Sequence, residues 1–426
     1  MAVSPARKSA AAGGPATASV FAEPTERVRP LWVTSVVLVN VGINIAFFGP
    51  IQVLLGNQAE ALDPHGKEAI LALVTGCGAA VSLVANPLFG TFSDRTTSRL
   101  GRRVPWVLTG AVLGTLALVG LAAAPGVAAM AALWCLVQLG CNGALAAITA
   151  AVPDRVPVVQ RGNVGGLASL GTVLGIVGGA AVAAAVGKDY DYGYWVCAAA
   201  LLLGVLLYLF AGQDEQLDAS LRPRFSWAGF FSGFWINPAR YPDFGWAWLT
   251  RFLVNLGNHL VTLYLLFFLQ DAVHFPNPNL GVFILTGIYA AATMVTAVIG
   301  GLWTDRVGKR KPFVIGSSAI IALASLILAV VPTWNGALVG AGILGIGYGA
   351  YLAVDFALLT QVLPSAVSRA KDLGIINVAN SLPQVVAPVV AYPFVKLLGG
   401  YVTLYIVAAV IGLLGAFFVV KIKGVQ

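Results

Sequence analysis

Charged residues in this chain are confined, with few exceptions, to short intervals. Between them lie twelve apolar runs, at residues 31–55, 67–92, 106–124, 127–152, 163–187, 194–211, 244–273, 280–304, 313–331, 334–363, 373–397 and 401–420. About 20 apolar residues is the length an α-helix needs to cross the hydrocarbon core of a bilayer. A helix that is apolar all round has no face to offer water. The 426 residues are 58% apolar and 10% charged, against about 25% charged in an average soluble domain. The sequence therefore predicts an all-α polytopic membrane protein of twelve transmembrane helices in two six-helix bundles, with the lipid bilayer as its surroundings. Cytosolic enzymes, secreted domains and disordered scaffolds are excluded by the same numbers.

The basic residues predict the orientation. Of 25 Lys and Arg, 21 fall in the N-terminal tail, alternate loops, the central linker and the C-terminus, while the other loops hold only Lys67, Lys188 and Lys396, and Arg251 lies inside a run. By the positive-inside rule both termini are expected in the cytoplasm, with the chain multi-pass in the cell (cytoplasmic) membrane. The net charge of +8 is thus an address, and no basic stripe interleaved with aromatics suggests nucleic acid. Cys77, Cys135, Cys141 and Cys197 sit within apolar runs and lack metal-site or disulfide spacing, so they are read as small packing residues and no metal or cofactor is expected.

The expected organisation is a flexible tail at 1–30, a six-helix bundle at 31–212, a linker at 213–243, a second bundle at 244–421 and a short tail at 422–426. In the linker, Trp227, Phe230, Phe231, Phe234 and Trp235 recur at helical spacing. They suit either an interfacial helix on the inner leaflet or a loop packed beneath the bundles.

The second bundle repeats the first. Leu38-Val39-Asn40-Val41-Gly42 recurs as Leu253-Val254-Asn255-Leu256-Gly257, an offset of 215 residues. Gly90-Thr91-Phe92-Ser93-Asp94-Arg95 recurs as Gly301-Leu302-Trp303-Thr304-Asp305-Arg306, and Pro153 recurs as Pro364, both offset by 211. Duplicated halves are how secondary transporters are constructed.

The second of these loops, with Gly301, Asp305, Arg306, Gly308, Lys309 and Arg310, resembles the G-x-x-x-D-R-x-G-R/K-R/K hallmark of the major facilitator superfamily. The first copy is longer, running Ser93-Asp94-Arg95-Thr96-Thr97-Ser98-Arg99-Leu100-Gly101-Arg102-Arg103 and on to Pro105-Trp106. It looks like the glycoside/cation symporters and the sucrose-transporter-like branch. The resemblance implies a fold of two six-helix bundles, in which the first, fourth, seventh and tenth helices line a central cavity. Departures from other branches are informative. The fifth run reads Gly175-Ile176-Val177-Gly178-Gly179, without the proline that drug antiporters of the superfamily carry there, and the fourth lacks their intramembrane arginine. The second has no acid between Ile70 and Ser93, where melibiose-type symporters place acids for sodium.

Asp94 and Asp305 end helices that run inward, so each carboxylate lies at the negative end of its own helix dipole and needs a partner elsewhere. The expected partners are the N-terminus of the eleventh helix near Leu373 for Asp94 and that of the fifth near Asn163 for Asp305. Together they would make a cytoplasmic gate that latches only in the outward-facing state, unless these loops merely fix topology.

A charge at mid-bilayer costs about 3 kcal/mol or more. Asp355, nine residues before Pro364 and so about 13 Å from the inner end of its helix, is the candidate proton site. The alternative is a structural acid tied to a neighbouring arginine. Arg251 is that neighbour, a substrate contact, or a side chain that snorkels to the surface. His259 is a candidate proton relay or a satisfied donor. The candidate cavity groups are Asn40, Asn44, Gln138, Asn142, Asn255, Asn258, Tyr348, Tyr351, Asn377, Asn380 and Gln384, with Ser381 beside them. Amides, hydroxyls and aromatic faces recognise a neutral polyhydroxylated solute, although the same groups also make interhelical hydrogen bonds. With three histidines and no H-E-x-x-H, G-x-S-x-G or P-loop, enzyme chemistry is not expected. The expected function is a monomeric secondary transporter moving a small polar solute, a sugar or glycoside, with protons. The alternative is an exporter of an amphipathic metabolite or drug.

Overall fold

The computed structural model describes residues 24–211, 240–307, 309–361 and 369–423, together with 214, 216–221, 225–227 and 230 of the linker. Side chains are described for all of these except 158, 221, 305, 356–361 and 369–377. The expected tail residues 1–23 and 424–426, linker aromatics Phe231, Phe234 and Trp235, and Gly308 lie outside the described residues.

The spans are α1 (Pro30–Leu62), α2 (Lys67–Ser93), α3 (Val104–Ala122), α4 (Val127–Arg155), α5 (Val158–Val186), α6 (Tyr190–Ala211), α7 (Pro242–Leu263 with Leu265–Asp271), α8 (Pro278–Val307), α9 (Lys311–Val330), α10 (Trp334–Gln361), α11 (Arg369–Leu397) and α12 (Gly400–Val419). Among the described residues, eleven are single helices long and apolar enough to cross a membrane, and α7, bent by 42° at Tyr264, makes a twelfth when its two pieces are taken as one span. Helix starts follow local chemistry. Proline opens α1, α3, α7 and α9 within the first two positions, where no intrahelical N–H is lost. Glu68, Asp191 and Asp243 sit in the first turns of α2, α6 and α7, next to positive helix ends.

The duplication in the sequence is a duplication of packing. α1 packs on α5 and α6 as α7 packs on α11 and α12, and α4 is flanked by α2 and α3 as α10 is by α8 and α9. The halves meet along two seams, α2 against α11 and α5 against α8. Small residues set the closest approach. A Cβ added to Gly171 or Gly175 of α5 would lie 2.7 Å from the carbonyl oxygen of Val37 or Val41 of α1, so this stripe serves helix packing.

Proline also falls inside several spans, and at one of them the helix type changes. At Pro50–Leu54 the α1 helix widens into a single π-turn. Beyond that turn Gln58 bonds within its own half, accepting from the Tyr194 hydroxyl at 2.8 Å and donating to the Leu121 carbonyl at 2.8 Å. Pro87 lies inside α2, and Pro383, Pro388 and Pro393 inside α11. Of the cysteines, Cys141 and Cys197 are buried packing residues, whereas Cys77 is exposed.

Candidate functional site

Nine residues into α7, Arg251 turns into the protein instead of snorkelling. Its Nη1 lies 2.5 Å from Oδ2 of Asp355 on α10, and its Nε donates to Asn380 Oδ1 on α11 at 2.6 Å. Both charges are buried. Of the roles the sequence left open for Arg251, the structure shows that of the neighbour paired with Asp355. The remaining Asp355 oxygen accepts from the Tyr351 hydroxyl at 2.7 Å, one turn earlier on the same helix.

The stripe on α7 continues the network. Asn255 donates to the Arg251 carbonyl at 2.9 Å and accepts from the Tyr348 hydroxyl at 3.0 Å. Asn258 accepts from the Tyr289 hydroxyl at 3.4 Å. Tyr289, Tyr348 and Tyr351 form a ladder with centroids 6.1 Å apart at each step and rings 27° and 29° from parallel. Tyr289 escaped the sequence reading because nothing in the eighth run marks it out from its apolar neighbours. His259 is half-buried and eight residues beyond Arg251, about 12 Å along the helix. Gln384 is exposed, and the Asn377 side chain lies outside the described residues.

The first half offers a neutral counterpart. Asn40 donates to the Val36 carbonyl, Asn44 to the Asn40 carbonyl and Asn142 to Gln138, all at 2.8 to 3.0 Å and within one helix. All four side chains are buried. No donor among the described residues reaches the side-chain oxygens of Asn40, Asn44 or Asn142, so these acceptors are unused.

On the basic face, Asp94 bonds Arg103 at 2.6 Å, and Asp154 holds Arg103 at 2.8 Å and Arg102 at 3.0 Å. Arg103 also reaches Ser93. Asp214 of the linker accepts the backbone N–H groups of Arg103 and Val104, capping α3 from a distance. Gly101, at φ +89°, leaves room for that carboxylate, which a Cβ would strike. The Arg95 guanidinium stands over the Phe225 ring, 4.9 Å from its centroid. Among the described residues Asp94 is thus bonded inside its own half, to Arg103, while the side chains of α11 around Leu373, the partner expected of a latched gate, lie outside them. In the second copy Arg306 and Lys309 are exposed and Arg310 precedes α9; Gly90 and Gly301 are half-buried, with open space where a Cβ would project. The Asp305 side chain lies outside the described residues.

A second polar network joins the halves on the opposite face, and the sequence reading missed it. Lys67 at the start of α2 lies 2.9 Å from Asp271 at the end of α7, 3.5 Å from Glu60 and 3.3 Å from Gln270. Gln270 donates to Glu60 at 3.0 Å, and the Tyr401 hydroxyl to Asp271 at 2.8 Å. Lys396 of α11 bonds Glu68 at 3.1 Å and the His65 carbonyl at 2.8 Å. Asn279 of α8 donates to the Gly187 carbonyl beyond α5. Lys67 and Glu68 are buried beneath these contacts. The available signal was the scarcity of lysine there: Lys67 and Lys396 are two of the three that break the charge bias.

Two repeated six-helix bundles, with polar groups at midspan and a bonded seal on one face, form the architecture of a membrane transporter. The chain belongs to the Major Facilitator Superfamily, whose family model matches residues 31–286 and 279–424. Among curated proteins it is similar to Multidrug resistance protein MdtL of Shewanella sp. (strain ANA-3), 33% identical over 127 residues, covering 30% of this chain and 31% of that protein. It is also similar to Sucrose transport protein SUT1 of Oryza sativa subsp. japonica, 39% identical over 67 residues, covering 15% of this chain and 12% of that protein. The matched stretch thus spans under a third of either relative's length. Among solved structures, the nucleoside transporter NupG aligns with a TM-score of 0.72 at 14% identity over 92% of this chain and 99% of that one. A POT family transporter in complex with 5-aminolevulinic acid aligns with a TM-score of 0.75 at 12% identity over 95% and 98%. At these identities the likeness is one of fold.

Proposed function

We propose that this chain is a monomeric secondary transporter of the cytoplasmic membrane that imports a small polar solute, a sugar or glycoside, together with protons by alternating access. The observation that carries this reading is the buried Arg251–Asp355 pair at midspan. A carboxylate held there can take up or release a proton only by changing its bond to the arginine, so protonation is tied to the side chains that surround it. The amides of α1 and α4 face the requirement of a polyhydroxylated solute with unused acceptors. The charge bias supports a cytoplasmic location for both termini and the basic face; on this reading the bonded seal on the opposite face is extracellular and the state is inward-facing. In the outward-open state Asp94 exchanges its Arg103 contact for α11, as the gate reading requires. Arg95, Gly101, Arg102 and Arg103 hold the first gate loop, and Asp305, Arg306, Gly308, Lys309 and Arg310 make its repeat.

The MdtL likeness favours a second reading, proton-driven export of an amphipathic metabolite or drug, while the SUT1 likeness favours the first. Purified protein in liposomes separates them. Accumulation of labelled mono- or disaccharides under an imposed pH gradient supports import, and extrusion of cationic dyes without sugar accumulation supports export.

A further inference from the structure

We propose that the solute carries a carboxylate, which takes the place of Asp355 on Arg251 when Asp355 is protonated. This deepens the reading of a proton-coupled polar-solute carrier and rests on it.

The argument is one of charge. With the site empty, Arg251 and Asp355 neutralise one another at 2.5 Å in the middle of the span. A proton arriving at Asp355 converts it to a neutral acid and leaves Arg251 as a bare buried cation. Membrane interiors tolerate such a charge poorly. A neutral sugar does nothing to remove it. A solute carboxylate restores a zero total: the proton stays on Asp355, the guanidinium keeps its charge, and the ligand supplies the anion. Proton and anion then enter and leave together with no net charge held at midspan in either condition.

The geometry supplies the place. Nη1 of Arg251 is buried and paired with Asp355 at 2.5 Å, so loss of the Asp355 charge frees that guanidinium nitrogen for another carboxylate. Asn380 fixes Nε from the other side, which keeps the fork oriented without adding charge. Arg251 from α7 and Tyr351 from its own helix are the groups bonded to Asp355. Tyr348, the next member of the ladder, is bonded to Asn255. Among the described residues, no other ion pair reaches Asp355. The buried amides of the other half, Asn40, Asn44, Gln138 and Asn142, bring no charge. The two halves therefore present unlike ends: a cation released by protonation in one, and neutral acceptors for hydroxyls in the other. A hydroxylated acid, with its carboxylate toward α7 and its hydroxyls toward α1 and α4, matches both.

The test pairs acids with neutral parents that differ only in the carboxylate: glucuronate with glucose, galacturonate with galactose, and 4-nitrophenyl glucuronide with 4-nitrophenyl glucoside. Binding to the purified full chain is followed by calorimetry in two buffers of different ionisation enthalpy, which counts protons taken up. At least one acid is expected to bind about tenfold or more tighter than its parent, with close to one proton taken up per ligand. Asp355→Asn is expected to keep the preference and lose the proton uptake, and Arg251→Gln to lose the preference. Should either variant fail to fold, the wild-type proton count alone decides. Neutral parents binding as well as the acids, acid binding without proton uptake, or no acid bound at millimolar concentration each overturns the inference. If a neutral sugar nonetheless accumulates in liposomes under a pH gradient, the broader reading stands. If only cationic dyes move, both readings fall.

Discussion

Lys67 and Asp271 stand 204 positions apart in the chain and 2.9 Å apart in space, linking the start of α2 to the end of α7 across the two halves. Lys67 is buried and Asp271 partly open to solvent, so the contact is worth on the order of 1 kcal/mol after screening. Lys67→Gln is expected to weaken the seal on that face and shift the population toward the other state about fivefold. With the native cysteines replaced and a cysteine placed at Val53, labelling by a membrane-impermeant maleimide should accelerate by that factor. An unchanged rate would mean that Lys67 does not help to hold this face shut.

Removing one member of the midspan pair leaves the other charge without compensation. Asp355→Asn is expected to lower stability in detergent by about 3–5 kcal/mol, with Arg251→Gln similarly costly. The double variant should recover much of that loss while remaining inactive in pH-driven uptake. Thermal unfolding of the three variants measures the first part, and uptake into liposomes the second. Uptake that stays pH-driven in Asp355→Asn would remove Asp355 from coupling.

Asp214 caps α3 through the backbone of Arg103 and Val104. Asp214→Ala is expected to cost about 1–2 kcal/mol, read as a lowered melting temperature. Gly101→Ala should be at least as damaging, because it combines a left-handed backbone with a Cβ directed into that carboxylate. In the Gly101→Ala/Asp214→Ala double variant the steric part of the loss should shrink.

The α1–α5 contact has no room for a side chain at Gly175. Gly175→Ala is expected to destabilise by about 1–3 kcal/mol and Gly175→Leu to abolish folding, both visible as loss of the monodisperse peak in size-exclusion chromatography. Gly166→Ala, on the same helix but facing open space, serves as the neutral control.

The fold was legible in the sequence because burial in lipid is a local property. Each run of about 20 apolar residues declares itself without reference to its partners, and the duplicated Asn40 and Asn255 segments give the symmetry. The α7 stripe was legible for a similar reason, since Arg251, Asn255 and Asn258 share a helical face. What escaped is what depends on tertiary pairing or on conformational state. Glu60, Lys67, Glu68, Asp271 and Lys396 read as ordinary helix-end charges until the halves are brought together. Asp94 was assigned a partner on α11 for one state, and the structure shows it bound to Arg103. Tyr289 gains its meaning from Tyr348 and Asn258, which lie on other helices.

The widened turn at Pro50–Leu54 inserts an additional residue into the count of α1, setting its two ends out of phase by about 100°. Below the turn, Asn40 and Asn44 keep the orientation fixed by the glycine stripe of α5. Above it, the surface is rotated so that Gln58 engages Tyr194 and Glu60 turns toward Lys67 and Gln270. The first span is accordingly two rods sharing a collar, the lower registered on the glycine stripe of α5 and the upper on Tyr194 of α6 and the polar cluster around Lys67.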